Sequence, residues 1–180
     1  WYSPDPRAII PIQSYKPAKS LKPIINQKRF EIRVDTCFEQ VMRNCALPRP
    51  TEDETWISEE LIAAYTELHR MGLAHSVEAW QDDKLVGGLY GVSLGAVFFG
   101  ESMFSRATDA SKIALAHLVW FLKKQGVAWI DCQMHTEHLS TLGAAPMPRQ
   151  QFIAHIRQHT SMPDILWHPG RLDHAGILHR

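Results

Sequence analysis

This chain of 180 residues has no excess of positive or negative charge, because 19 Lys and Arg residues balance 19 Asp and Glu residues. A neutral chain has no global attraction to nucleic acid, so such a site would have to come from local clustering. The three cysteines, Cys37, Cys45 and Cys132, include no C-x-x-C pair and form no disulfide framework, which fits a reducing compartment. Apolar runs of membrane-spanning length are also missing, so we expect no membrane partner.

Signatures of metal and phosphate binding are equally scarce. His135 and His138 have ligand-like spacing, but no third ligand converges with them in the sequence. The glycines of Gly87–Gly91 lack the G-x-x-x-x-G-K-[ST] pattern of a phosphate loop. Cys132 has no evident histidine partner, which favours a packed thiol over a nucleophile. We therefore expect neither a metal nor an organic cofactor.

What the chain does have is the composition of one globular domain, with 45% hydrophobic residues. Periodicity, capping residues and turn residues predict strands that alternate with helices, which indicates a mixed α/β (α+β) fold. Residues from Ser161 onward predict a loosely ordered tail. The predicted strands are Arg7–Ile10, Phe30–Val34, His75–Trp80, Leu85–Val92, Ala96–Glu101 and Val127–Gln133, and the predicted helices are Thr36–Ala46, Ser58–Gly72, Ala110–Lys124, Thr136–Leu142 and Arg149–His159.

The glycine-punctuated run that surrounds Glu101 is the strongest candidate site. Glycines at Gly87, Gly88 and Gly91 permit close backbone approach, and neighbouring aromatics can wall an apolar pocket. A carboxylate at the edge of such a pocket can bind one polar group of an amphipathic substrate. A strand-end charge that faces solvent is the alternative for Glu101.

A second carboxylate, Asp131, ends a predicted strand beside Gln133. Strand alternation predicts that both side chains lie on one face, where a carboxylate and an amide could serve acid–base chemistry and oxyanion stabilisation. From the residues alone, Asp131 could instead cap the following loop, and Gln133 could tie strands together.

Several of these blocks, taken in order, resemble the leucyl/phenylalanyl-tRNA–protein transferase family. They include Trp1–Arg7, Thr55–Ile57, Gly72–Glu78, Leu85–Gly91, Gly100–Ser105 and Asp131–Gln133. The resemblance covers the chain to about residue 160. It implies a cytoplasmic bacterial enzyme with an acetyltransferase-like (GNAT) fold, a central mixed sheet flanked by helices, and we expect a monomer. Such an enzyme transfers Leu, Phe or Met from aminoacyl-tRNA to proteins with an N-terminal Arg or Lys, which marks them for N-end rule degradation.

The resemblance also implies roles for residues at matching positions. Asp131, Gln133 and Glu101 correspond to catalytic or ammonium-binding residues. Trp56 corresponds to a tryptophan near the terminal adenine of tRNA, for which a loop aromatic that covers the core is the alternative. The predicted aminoacyl pocket comprises Leu89, Phe98, Leu118 and Ile130, for which ordinary core packing is the alternative. An unbalanced basic cluster comprises Lys16, Lys19, Lys22, Lys28 and Arg29, and it corresponds to a tRNA-phosphate patch that could otherwise be a solvated surface.

The expected organisation is a transferase domain over residues 1–160 and a C-terminal tail over residues 161–180. The small N-terminal domain expected in the family would precede Trp1 and is not part of this sequence. Two rival functions remain open. One is an acyl-CoA-dependent GNAT N-acyltransferase, although 104–112 lacks the glycine pattern of its pyrophosphate loop. The other is a noncatalytic tRNA-binding module.

Overall fold

The computed structural model describes residues 3–47 and 55–180, and within them one sheet organises the fold. The sheet has the order β7-β1-β6-β5-β4-β3-β2-β8-β9, with β5 and β6 parallel and the other described pairs antiparallel. Its strands are β1 (Arg7–Pro11), β2 (Glu31–Val34), β3 (Ala74–Gln81), β4 (Lys84–Leu94), β5 (Val97–Ser105), β6 (Trp129–Asp131), β7 (Ala145–Met147), β8 (Gly170–Leu172) and β9 (Leu178–His179). The predicted mixed α/β class with a mixed sheet is confirmed.

The helices are α1 (Leu21–Asn26), α2 (Phe38–Cys45), α3 (Glu59–Arg70), α4 (Ala110–Lys124), α5 (Glu137–Thr141) and α6 (Arg149–His159). Two predicted boundaries have the expected cause. Ser58 caps α3 by accepting a hydrogen bond from the Leu61 amide, and Gly72 follows its end with φ +75°. The predicted bounds of α4 and α6 are also confirmed.

The start of α2 is stabilised from outside its own segment, contrary to the predicted cap at Asp35 or Thr36. The fully buried Glu78 carboxylate on β3 accepts hydrogen bonds from the backbone amides of Thr36 and Cys37, at 2.9 and 3.0 Å. A carboxylate at a helix N-terminus satisfies amides that have no partner within the helix. Glu78 lies 42 positions after Thr36, so local sequence could not reveal this cap.

The sheet separates two apolar layers. On one face, Leu89, Phe98 and Ile130 pack with α4, which is apolar around most of its circumference. On the other face, Tyr90 packs with α2 and α3, and Phe99 packs with Phe152 of α6. Since Phe99 lies opposite Val92, two residues beyond Tyr90 in β4, α3 and α6 cover the same face.

The prediction that the third strand of the meander ends at Glu101 is wrong, because β5 continues to Ser105. Gly91 pairs with Gly100 and Tyr90 pairs with Ser102, which leaves Glu101 as the extra residue of a β-bulge. A bulge redirects the side chain that it carries and interrupts the alternation from which the strand end was inferred.

Residues 161–180 form an ordered part of the core, so the prediction of a loosely ordered tail is wrong. Strand β8 pairs with β2, and Ile165 and Leu172 are buried. Trp167 stacks on the His75 ring with centroids 4.3 Å apart. Three apolar side chains spaced among polar residues anchor this segment, and strands of three and two residues are too short to show a periodic pattern. Among the described residues, no helix has the length and apolar character needed to cross a bilayer.

Candidate functional site

A fork between two strands creates the candidate site. Strands β5 and β6 pair only where Phe98 meets Ile130 and Phe99 meets Asp131. Beyond this point they have no further pairing, and a cavity of about 350 Å³ lies where they diverge. Leu115 of α4 lies among the apolar side chains that line it. Gly100 and Cys132, the next residue of each arm, also contact the cavity.

All four residues predicted for the apolar pocket line this cavity. They are Leu89, Phe98, Leu118 and Ile130, and each is at most 3% exposed. They also belong to the main hydrophobic core, so the packing interpretation holds alongside the pocket interpretation. An apolar chamber with rigid walls can select a side chain by size and shape.

Glu101 lines the cavity from the bulge in β5. Its carboxylate accepts a hydrogen bond from the Tyr65 hydroxyl of α3. Burial raises the pKa of Glu101, the Asp131 charge raises it further, and the Tyr65 hydrogen bond and the Arg7 charge act in the opposite direction. Burial and the Glu101 charge raise the pKa of Tyr65 to about 12, so the phenol remains a hydrogen-bond donor at neutral pH.

Tyr90 lines the cavity beside Glu101, and the sequence analysis did not identify it as a site residue. Its side chain is fully buried, and its hydroxyl has no hydrogen-bond partner among the described residues. Burial raises the pKa of Tyr90, followed by the charges of Cys45 and Glu101. A buried hydroxyl without a partner can be satisfied by a polar group of a bound ligand or by water.

Asp131 lies behind the cavity wall rather than in it. It is fully buried and does not line the cavity. The Arg7 guanidinium donates two hydrogen bonds to its carboxylate, from Nε to Oδ1 at 2.8 Å and from Nη2 to Oδ2 at 2.7 Å. Asp131 pairs with Phe99 and therefore shares its face of the sheet, which α3 covers; Tyr65 of α3 forms a hydrogen bond with Glu101 on that side. The two carboxylates are therefore neighbours on one side of the sheet.

Gln133 connects Asp131 to the cavity that Gln133 itself lines. The Asp131 carboxylate accepts hydrogen bonds from the Gln133 backbone amide at 3.1 Å and from its Nε2 at 3.4 Å. The predicted alternation between these two residues is wrong, because β6 ends at Asp131 and Gln133 has φ +58°. The carboxylate, and not strand geometry, positions the Gln133 side chain.

Arg7 is the residue of this cluster that the sequence analysis missed. Its guanidinium stacks over the Phe152 ring of α6, 4.6 Å from the centroid, while it binds Asp131. Planar stacking and a two-pronged ion pair together hold a guanidinium in one orientation. The partners are 124 positions apart, and the motif around Arg7 was the only sequence signal that singled it out.

Trp56 also lines the cavity, with 56% of its surface exposed, so its ring is available for stacking. The predicted basic cluster is exposed on α1 and the segments that flank it. Helix α1 packs against α4, which also contributes to the cavity. The five basic residues do not themselves line the cavity: Lys16, Lys19, Lys22, Lys28 and Arg29.

Nucleophilic and metal chemistry find little support among the described residues. Burial and the Asp131 charge raise the pKa of Cys132 to about 12, which keeps the thiol protonated. One group with metal-ligand geometry occurs in ranges 3–47 and 55–180, namely Asp35, His69 and His75. Hydrogen bonds explain why these groups lie close together. Asp35 Oδ2 lies 2.7 Å from His75 Nδ1, and Asp35 Oδ1 accepts a hydrogen bond from the Ser76 amide at 2.8 Å.

The fork, its apolar chamber and its polar rim define a mixed α/β protein with a cavity whose lining is complementary to an amphipathic ligand. The sequence profile of the leucyl/phenylalanyl-tRNA protein transferases matches residues 9–157. The chain belongs to this family.

Individual relatives agree with that assignment. A leucyl/phenylalanyl-tRNA–protein transferase of Bordetella bronchiseptica is 50% identical over 188 residues, which covers 99% of this chain and 74% of the relative. One from Nitrosomonas europaea is 52% identical over 163 residues, which covers 91% of this chain and 69% of the relative. Among solved structures, L-PGS from Bacillus licheniformis aligns with a TM-score of 0.46 and 14% identity, over 72% of this chain and 45% of that one.

Proposed function

We propose that this chain transfers a leucyl, phenylalanyl or methionyl group from aminoacyl-tRNA to the α-amino group of proteins that begin with Arg or Lys. The observation that carries the proposal is the cavity in the fork, where an apolar chamber meets the Glu101 carboxylate. Membership of the family supports the tRNA donor and the protein acceptor. The products would enter N-end rule degradation.

The reaction is the aminolysis of an ester. The acceptor nitrogen bonds to the aminoacyl carbonyl carbon, the bond to the tRNA ribose oxygen breaks, and the amine proton passes to that oxygen. An α-amino group has a pKa of about 7.7–8.0, so roughly a tenth is already unprotonated at pH 7. Alignment of the two substrates can therefore supply most of the acceleration, without a strong base.

Glu101 binds an ammonium group at the rim of the cavity. The bulge places a carboxylate next to the apolar chamber, where the α-ammonium of the aminoacyl group or the cationic acceptor would arrive. An ammonium would stabilise the ionised form of a carboxylate whose pKa burial raises. Tyr65 orients the carboxylate from behind.

Gln133 contacts the reacting ester, and Asp131 acts through it. The Gln133 amide lines the cavity and can donate a hydrogen bond to the developing oxyanion. Asp131 already accepts four hydrogen bonds from Arg7 and Gln133, so it is a positioning residue for the Gln133 side chain. We therefore propose that Asp131 orients Gln133, in place of the acid–base chemistry that the sequence alone suggested for it.

The remaining predicted residues bind the donor. The apolar chamber takes the aminoacyl side chain, and each methylene group contributes discrimination of about 1–3 kcal/mol. Trp56 stacks on the terminal adenine, which contributes about 1–3 kcal/mol. The basic cluster on and around α1 contacts tRNA phosphates.

We also propose an acetyltransferase-like (GNAT) architecture, which the divergence of the parallel strands β5 and β6 supports. We further propose that the protein is a monomer and acts in the cytoplasm.

The decisive test incubates the chain with Leu-tRNA or Phe-tRNA and a reporter peptide that begins with Arg. We expect transfer to this peptide, none to a matched peptide that begins with Asp, and a loss on the order of 10²-fold in E101Q and in Q133A. Acetyl-CoA as donor tests the rival N-acyltransferase. If tRNA binds but no peptide is modified, the noncatalytic binding module is correct instead.

A further inference from the structure

A second, larger groove adjoins the cavity. It has a volume of about 740 Å³ and lies between the end of α2, the end of β5 and the start of α4. Met103 and His138 line both spaces, so the groove and the cavity adjoin at these two residues. We call it the β5–α4 groove. The proposed function leaves it without an occupant.

One wall of the β5–α4 groove is an open strand edge. From Glu101 to Ser105, β5 pairs with β4 on one side, whereas its pairing with β6 ends at Phe99. Met103, Phe104 and Ser105 line the groove along this stretch. An extended, flexible polymer could therefore run beside β5 and deliver its end to the cavity.

The charges in the groove discriminate between polymers. Arg106 is exposed, donates to the Asn44 side chain at 2.8 Å, and has no carboxylate partner within ranges 3–47 and 55–180. Lys112 also lines the groove and forms an ion pair with Asp109 at 2.9 Å, which leaves the Arg106 charge unbalanced. The described lining is thus net positive, which favours a polyanion and disfavours a polypeptide with a cationic first residue.

The basic cluster and the β5–α4 groove both border the first turn of α4. Ile25 and Lys28 of the α1 region line a common cleft with Ile113 of α4, the residue next to Lys112. A nucleic-acid strand that ran from the α1 surface across the start of α4 would enter the groove that Lys112 and Arg106 line, which adjoins the cavity. Trp56, the predicted adenine contact, also lines the cavity at the end of this path.

We propose that the β5–α4 groove binds the phosphodiester backbone of the single-stranded 3′ end of the donor tRNA, with Arg106 and Lys112 as phosphate contacts. This inference rests on the proposed function and names the path by which its donor reaches the site. Single-stranded nucleic acid binding typically combines such a cationic track with a stacking aromatic.

The test compares two donors of the same amino acid, Phe-tRNA and 3′-phenylalanyl-adenosine, which lacks phosphates. In R106Q we expect the ratio of kcat/KM for Phe-tRNA to that for the adenosine donor to fall about tenfold, mainly through the KM for Phe-tRNA. The salt dependence of tRNA binding should decrease by about 0.7 in log–log slope for each lost phosphate contact. K112Q should act in the same direction.

K123Q is the matched control, because Lys123 lies at the opposite end of α4 and is exposed. Its donor ratio should stay within about twofold of the unmodified chain. A donor ratio in R106Q that matches the one in K123Q would overturn the proposal, as would a rise in the KM for the acceptor peptide, which would assign the groove to the acceptor. If the unmodified chain used neither donor, the proposed function itself would fail, which is a distinguishable result.

Discussion

Arg7 binds Asp131 through two parallel hydrogen bonds of 2.8 and 2.7 Å, and thereby occupies the carboxylate that would otherwise be the obvious base. The same carboxylate accepts two hydrogen bonds from Gln133, so a buried ion pair supports the amide at the cavity wall. Removing one partner of such a pair leaves an uncompensated buried charge, which costs about 3–5 kcal/mol. Function and stability are therefore coupled at Asp131.

The positioning role of Asp131 predicts a specific kinetic result for D131N. We expect kcat to fall on the order of 10²-fold, because the Gln133 side chain loses its anchor, while the shape of the pH–rate profile is retained. The measurement is kcat against pH between 6 and 9, with urea unfolding to confirm that the variant is folded. Loss of an ionisation from the profile would identify Asp131 as a base and contradict its positioning role.

Glu101 predicts a conflict between activity and stability. Burial raises its pKa in the folded state, so its contribution to stability is fully present below the ordinary glutamate pKa and is lost as pH rises through the raised value. At pH 7 the ionised carboxylate is destabilising. The E101Q variant should therefore unfold at a higher urea concentration than the parent at pH 7, although it transfers far more slowly.

The stability gain of E101Q should shrink as the pH falls towards 4, since the parent then carries a neutral Glu101. D83N serves as the control, because the Asp83 side chain is 99% exposed and its neutralisation should move the urea midpoint little at either pH. Equal midpoints for E101Q and the parent at pH 7 would mean that burial does not destabilise the Glu101 charge.

His155 predicts an acid-sensitive component of stability away from the site. Its ring stacks against Trp129 and His159, with centroids 4.0 and 3.6 Å apart, and burial followed by the His159 charge lowers its pKa to about 4. Between pH 6.5 and 4 the unfolded chain binds a proton at His155 that the folded chain does not. The free energy of unfolding should therefore decrease as the pH is lowered from 6.5 to 4, and this decrease should be smaller in H155F.

Urea unfolding at several pH values between 4 and 7 measures that slope. H168F is the comparison, because His168 lies on the C-terminal segment, outside the stack that Trp129, His155 and His159 form. The slopes for H155F and the parent should differ, and those for H168F and the parent should not. Identical slopes for all three proteins would exclude His155 as the source.

Local chemistry explains which elements were predictable. The bounds of α3 follow from its Ser58 cap and from Gly72, and the bounds of α4 from an apolar run that ends at the positive-φ Gly126. Both signals lie within the helix or next to it. The four apolar cavity residues were also identified, but through the family resemblance, since their spacing alone is equally typical of a core.

The missed features depend on contacts between distant segments. Glu78 caps α2 from another strand, and Arg7 pairs with Asp131 from the other end of the chain. The bulge at Glu101 exists only in the register between β4 and β5, which periodicity within one strand cannot reveal. The site is thus assembled from interactions that pattern analysis of single segments does not detect.

Gly91 links the glycine-rich run to the shape of the cavity, which leads to a last prediction. A Cβ atom at this position would lie 2.3 Å from the Phe99 carbonyl oxygen and 2.6 Å from Phe98 Cζ. The Phe98 ring lines the cavity, so G91A must either separate β4 from β5 or displace that ring and change the shape of the cavity. We expect a loss of about 1–3 kcal/mol in the free energy of unfolding, together with a higher KM for Phe-tRNA.

G100A provides the comparison for stability, because a Cβ there comes no closer than 3.4 Å to Asp131 O and Ile130 Cγ2. Urea unfolding should therefore rank G91A well below G100A. If both variants were equally stable and G91A kept the parental KM, the close approach of Phe98 to the backbone of β4 would not shape the cavity. Gly91 would then be required only by the β-bulge, and the wall of the chamber would accommodate a displaced Phe98 ring.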